Sequence, residues 1–317
     1  MKQLINKTPV PIAGLMLALA AAGNLIASYG VIYKNAFGII SAMILILLIL
    51  KIITNTKAVI KDLDNPLIAS VAPTFSMGIM ILSTYVKPSM PTFALIMWIV
   101  GLSLHCILII LFTKKYILNF DIKKVVPSYF VVYVGIAAAS VTAPAFNASA
   151  VGMVAFWFGF AAYLILLPII IYRVFVIKSM PEPAIPTITI FAAPASLCLA
   201  GYMNSFQHKN MAIVWLLVIL SLTILLAVLL YMPKMLKLKF YPSYSAFTFP
   251  CVISAIAIKA TNGFLIKTNQ AIPLLKYVVK FEEAIAVAIV IYVLIRYINF
   301  LFINKPVNTE SKANVNA

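Results

Sequence analysis

The sequence predicts an all-α membrane protein of ten transmembrane helices, with inner helices lining a conduit and outer helices facing lipid. Three observations carry this. The composition is 64% hydrophobic and 10% charged with a mean hydropathy of +1.09, which excludes a soluble globular protein of this length. Apolar runs long enough to cross a hydrocarbon core of roughly 30 Å recur along the chain. The runs also alternate in kind. Residues 187–202 contain 9 small or helix-bending side chains among 16, whereas 212–231 contain 4 among 20 and are otherwise mostly Leu, Ile and Val. Small, proline-broken segments suit a crowded axis or a conduit, and bulky aliphatic ones suit contact with lipid chains.

Taken in order, the first run (10–29) follows Met1-Lys2-Gln3 and is too long for a cleaved leader, so it reads as a span. The second (37–53) is bulky. The third (67–85) opens after Pro66, and Pro73 follows seven residues later. The fourth (92–112) is bulky and carries His105. The fifth (129–146) opens after Pro127, with Gly135 eight residues on, and a bulky sixth follows at 148–172. The seventh (185–202) has Pro186 and, eight residues later, Pro194; the eighth (212–231) is bulky again. The ninth (243–261) repeats the device with Pro242 and Pro250, and the tenth covers 278–302. A proline at a helix start costs nothing because its missing N–H would be unpaired there. One placed two turns in frees a carbonyl and bends the helix. Segments 3, 5, 7 and 9 therefore look like one device reused, each followed by a straight bulky helix, which implies a pseudo-symmetric bundle. Segment 1 has Met16 where a bend residue would be expected. The domain reads as 1–304, with a polar tail, 305–317, expected to be disordered and cytoplasmic.

The formal charge of +17 is a topology signal rather than a nucleic-acid footprint. With the N-terminus in the cytoplasm, 17 of the 24 Lys and Arg, among them Lys51, Lys61, Lys114, Lys115, Lys123 and Lys124, fall on the inward side. This puts both termini in the cytoplasm of a multi-pass plasma-membrane protein whose basic loops meet anionic lipid heads. Cys106, Cys198 and Cys251 lie within spans without metal-ligand spacing, so no metal, cofactor or disulfide framework is implied.

Catalysis needs ionisable residues at depth, and the chain offers few. Asp62, Asp64, Asp121, Glu182 and Glu310 fall in loops or the tail. Glu282 and Glu283 lie about two turns into segment 10, where local pairing with Lys276 or Lys280 is expected. His105 is expected to be satisfied by a hydrogen bond between helices. The pattern HExxH, the pattern GxSxG and a phosphate-binding glycine loop are all missing. The inner segments carry hydroxyls such as Ser245 and Thr248, with Lys259 near one end, and no carboxylate. A conduit without acidic rings, bordered by the positive ends of broken helices, favours anions. Lys259 either raises the potential at one mouth or snorkels to the lipid interface.

These features resemble the tellurite-resistance/dicarboxylate transporter family, which includes the plant guard-cell slow anion channels. The resemblance covers about residues 8–303. Its most specific stretch is Ser-Ala-Phe-Thr-Phe-Pro-Cys-Val-Ile-Ser at 245–254, supported by bends at Pro73, Gly135 and Pro194. It implies ten spans as five hairpins in pseudo-five-fold order, kinked odd helices around a central pore, and a homotrimer with a pore in each protomer. It also implies that Phe249, just before Pro250, closes the pore. Phe247, about 200° away around the helix, competes for that role, and periodicity alone does not choose between them.

The function expected is an anion channel for small inorganic or carboxylate anions. The alternative on the same fold is a secondary carrier for C4-dicarboxylates or sulfite. A rival of another class is a lipid-binding or lipid-modifying protein, for which Glu282 and Glu283 are the sole candidate cluster.

Overall fold

The computed structural model describes residues 2–303, and every regular element in that range is helical. The tail expected to be disordered lies outside the described residues. Among the described residues nine helices are long and apolar enough to cross a membrane: α2 (Val31–Thr54), α3 (Pro66–Val86), α4 (Pro91–Ile117), α5 (Tyr129–Phe146), α6 (Ser149–Ile177), α7 (Glu182–Ser205), α8 (Met211–Met235), α9 (Pro242–Lys267) and α10 (Pro273–Ile303). They follow α1 (Ile12–Leu25), an apolar helix of 14 residues. Short helices at Lys2–Lys7 and Thr56–Asp62 precede α1 and follow α2.

The α1 helix is shorter than the run of apolar residues that encodes it. The helix starts only after Pro9 and Pro11, and at its far end a single 3-10 turn, Ala27–Tyr29, replaces α-helical geometry. Gly30 then adopts φ +149°, which an L side chain rarely reaches, and so turns the chain into α2.

The odd helices change geometry at the residues that the sequence marks. In α3 the α-helical hydrogen bonding lapses between Val71 and Thr74, at Pro73. In α5 a 3-10 segment, Val134–Ile136, holds Gly135 at its centre. Helix α7 is 3-10 over Glu182–Ala192 and becomes α-helical at Ala193, one residue before Pro194. Helix α9 is 3-10 over Pro242–Phe247 and becomes α-helical at Thr248, two residues before Pro250. A proline nitrogen has no hydrogen to donate, so the carbonyl one turn earlier loses its α-helical partner and the tighter spacing substitutes. Helix α1, with Met16 at the matching place, runs unbroken.

Burial separates the two sets of helices. In α3, α5, α7 and α9, 61–89% of the apolar core is buried, against 22–39% in the even helices. Every residue of α1 from Ile12 to Gly23 is buried. The neighbours explain this: α1 packs on α3, α3 on α5, α5 on α7, α7 on α9, and α9 returns to α1. Each even helix leans on the two odd helices beside it, α2 on α1 and α3, α6 on α5 and α7, α10 on α9 and α1. Exposed Ile165, Leu226 and Leu230 are what such outer helices present to lipid.

Polar side chains pin the layers together. Ser41 of α2 donates to the Met16 carbonyl at 2.6 Å, and Tyr85 of α3 donates to the Ala20 carbonyl at 2.6 Å. Trp98 of α4 donates to Thr142 of α5 at 2.7 Å. Glycine permits the closest approach: a Cβ on Gly38 would lie 2.5 Å from the Tyr85 ring. His105 sits fully buried in α4 between the Ser76 hydroxyl (Nδ1, 2.8 Å) and the Val132 carbonyl (Nε2, 3.2 Å), tying α4 to α3 and α5.

Candidate ion conduit

At the centre of the odd helices lies a narrow cavity of about 40 Å³. Its wall takes Gly14 from α1, Thr74 and Met77 from α3, Phe130, Val134 and Gly135 from α5, Pro194 and Leu197 from α7, and Ser245, Phe249 and Pro250 from α9. All of the odd helices contribute and none of the even ones does. The breaks explain why the backbone reaches this space. Where an α-helical bond is missing, a small residue such as Gly135 can approach the axis. The lining contains no ionisable side chain. A space of this size holds water or a small ion, but nothing larger without rearrangement.

Of the residues singled out from sequence, Gly135, Pro194, Pro250, Ser245 and Phe249 meet at this cavity. Pro73 does not line it, although its neighbour Thr74 does. Thr248 is fully buried outside the lining. Its hydroxyl donates to the Ser245 carbonyl at 2.6 Å and reaches the Gly14 carbonyl at 3.5 Å, at the α9–α1 seam. The two phenylalanines separate as a 200° rotation requires. Phe249 borders the cavity at 7% exposure, while Phe247 is fully buried and edge-on to Tyr244 at 5.0 Å. Gly14, Met77, Phe130 and Leu197 are among the wall residues not singled out from sequence, and nothing in their residue types distinguishes them from ordinary packing.

Two wider cavities flank the narrow one. On the side of the α1–α2 turn, about 470 Å³ is bordered by Asn24, Lys34, Thr84, Asn204 and Lys259. On the side of the short N-terminal helix, about 320 Å³ is bordered by Lys7, Lys51, Asp62, Asn65 and Ser243. Val71 lines both this cavity and the central one. Lys51 is buried, donating to the Thr8 carbonyl at 2.5 Å and lying 3.9 Å from Asp62.

Lys259 does not stand alone. Its ammonium donates to Glu283 Oε1 at 2.7 Å, to the Leu25 carbonyl at 2.7 Å and to Ser28 at 3.0 Å. Tyr29 donates to the other oxygen of Glu283 at 2.7 Å. This corrects the expectation of local pairing within α10. Lys276 and Lys280 are exposed, and Glu283 instead finds its cation on α9, because the small residues of α9 let the two helices close together. Tyr29 lies in the turn outside the spans, and its phenol is held above the ordinary value, first by this hydrogen bond to a carboxylate and then by burial. Glu282, one residue earlier, is buried and without a hydrogen-bond partner. Among the described residues no group of His, Cys, Asp and Glu has the arrangement of a metal site.

No curated protein matches the chain. The model of the voltage-dependent anion channel family SLAC1 matches residues 10–298, from just before α1 almost to the end of α10. With its axial cavity, apolar helices and nearly full-length match, the chain belongs to the SLAC1 family of membrane anion channels and transporters.

Proposed function

We propose that this chain is an anion channel of the plasma membrane that passes small inorganic or carboxylate anions through the axial cavity, with Phe249 as its gate. In this reading α1 completes a set of ten spans in five hairpins of pseudo-five-fold order. Pro73, Gly135, Pro194 and Pro250 bend the odd helices around the path, and both termini face the cytoplasm. The observation that carries the reading is the wall of the cavity, which every odd helix supplies and which holds no ionisable group. Lysines border the wider cavities at both ends, so the potential favours anions on entry. A neutral, narrow middle then discourages tight binding, which suits conduction. The Phe249 ring stands where an anion would have to pass, and conduction requires that it swing aside.

The family resemblance further implies a homotrimer with one path per protomer. Cross-linking in native membranes tests that count.

Efflux of chloride, nitrate, sulfite and malate from proteoliposomes, with and without a proton gradient, tests the function. Flux that follows each anion's own gradient and does not saturate supports a channel. Saturable malate or sulfite flux that needs the proton gradient would make the protein a carrier for dicarboxylates or sulfite. Lipid turnover without flux would make it a lipid-modifying protein.

A further inference from the structure

Among the described residues Tyr163, Thr189 and Glu282 have buried oxygens without a hydrogen-bond partner, and of the three only Glu282 is a carboxylate. It sits in α10, nine residues in from Pro273, so about 14 Å along the helix from its end. It is 3% exposed, and neither carboxylate oxygen has a hydrogen-bond partner. An ionised carboxylate in such a place would be costly unless a cation answered it. The charges around it are already committed. Helix α9 brings Lys259, which is bonded to Glu283, and Cys251, a thiol. Helix α1 has no ionisable side chain, and Tyr29 beyond it donates to Glu283. On α10 itself, Lys276 and Lys280 are exposed.

The hydroxyls beside Glu282 tie its protonation to the packing of three neighbouring helices. Ser254 of α9 faces the carboxyl without closing a well-formed bond. Behind it, Ser254 meets Ser221 of α8 at 3.3 Å, and Ser221 meets Ser196 of α7 at 2.7 Å. Each serine has one hydrogen to give. Ser196 gives its hydrogen to the Ala192 carbonyl at 2.7 Å. While Ser196 keeps its bond to Ala192, the link from Ser221 to Ser196 needs the Ser221 hydrogen, and the link from Ser254 to Ser221 needs the Ser254 hydrogen. With both links made, Ser254 offers Glu282 lone pairs, and a protonated carboxyl donates into them to complete a run of hydrogen bonds from α10 through α9 and α8 to α7. An ionised carboxylate accepts only, so it draws the Ser254 hydrogen to itself and the link to Ser221 is lost.

We propose that Glu282 is a proton-binding site inside the bundle, whose carboxyl is protonated in the packing seen here and whose ionisation slows anion passage. The effect on flux rests on the conduit reading; the protonation itself does not. Losing the proton leaves an uncompensated negative charge behind α9, about one helix diameter, ~10 Å, from the cavity. At an effective dielectric of about 20, repulsion across that distance lowers anion occupancy about tenfold. Ionisation also turns Ser254 toward the carboxylate and breaks its link to Ser221, which loosens α9 behind Phe249.

The test pairs infrared spectroscopy with flux at symmetric pH. In the wild type the carbonyl stretch of a protonated carboxylic acid should be present at neutral pH, fade as pH rises, and be missing from Glu282→Gln. Chloride flux should fall about tenfold over the same rise. Glu282→Gln, which keeps a neutral donor, should hold the low-pH flux at every pH. Glu282→Asp, which still titrates, should keep a pH dependence. Absence of the carbonyl band from the folded wild type at neutral pH overturns the proposal. So does a flux profile that Glu282→Gln leaves unchanged, or a response to sodium ion at fixed pH in place of one to protons. If no anion crosses at any pH the conduit reading fails, and the infrared titration alone then decides whether Glu282 holds a proton.

Discussion

Truncating Phe249 to alanine should weaken the fold and open the path at the same time. The ring borders the central cavity at 7% exposure. Removing a buried phenylalanine ring costs about 3–5 kcal/mol, and the lower end applies where one face of the ring already looks onto open space. The effect on flux has the opposite sign. An anion in an apolar constriction gives up water that the wall does not replace. If losing the ring restores about 2.7 kcal/mol of hydration at the barrier, passage rises about 100-fold. Chloride efflux from proteoliposomes, normalised to inserted protein, measures this, and thermal melting in detergent measures the stability cost. Phe247→Ala is the matched control. That ring is fully buried against Tyr244 and away from the cavity, so its loss should cost more stability than that of Phe249 with no gain in flux. Unchanged efflux in a folded Phe249→Ala protein, or an equal gain in Phe247→Ala, would refute the gate.

Two further perturbations test the surroundings of the path. Lys259→Met leaves Glu283, whose carboxylate is 7% exposed, with the Tyr29 hydroxyl as its remaining donor, and because Lys259 is itself 35% exposed the loss should be about 1–3 kcal/mol. Adding Glu283→Gln should restore most of the melting temperature without restoring the anion flux. A double variant that melts no higher than Lys259→Met would show that the pair is not the source of the loss. Gly135→Ala places a Cβ 2.8 Å from Met77 Sδ and 2.9 Å from the His105 ring. Methionine can shift, but the ring is held at both nitrogens, so a loss of about 1–3 kcal/mol is expected by thermal melting. No loss would mean that α5 can move away from α4.

Much of this arrangement was legible in the chain because it depends on residue types with a fixed backbone consequence. Pro194 and Pro250 lack a donor wherever they stand, and the change from 3-10 to α geometry falls within two residues of each. The contrast between small and bulky segments foretold which helices are buried, since small residues permit the close packing that excludes lipid. What sequence leaves open depends on rotation and on contacts between distant helices. Whether Phe247 or Phe249 faces the axis follows from how α9 is turned, and its local geometry shifts within that very stretch. The pairing of Lys259 with Glu283 is set by α9 meeting α10, and local spacing pointed instead to Lys276 or Lys280. The hydroxyls of Ser196, Ser221 and Ser254 look like ordinary small residues until three helices bring them into line. Helix α1 is shorter than its apolar run because Gly30 takes a left-handed φ and the turn before it is 3-10.

The central claim is that the inner wall of the odd helices is the ion path. Single cysteines placed at Met77, Val134, Leu197 and Ser245, in a Phe249→Ala background lacking Cys106, Cys198 and Cys251, test it most directly. Their controls are cysteines at Ile165 and Leu230 on the outer faces of α6 and α8. A charged methanethiosulfonate reagent should block chloride efflux through the first set and leave the second set conducting. Block at Ile165→Cys or Leu230→Cys, with none at the cavity positions, would put the path outside the ring of odd helices and contradict the account.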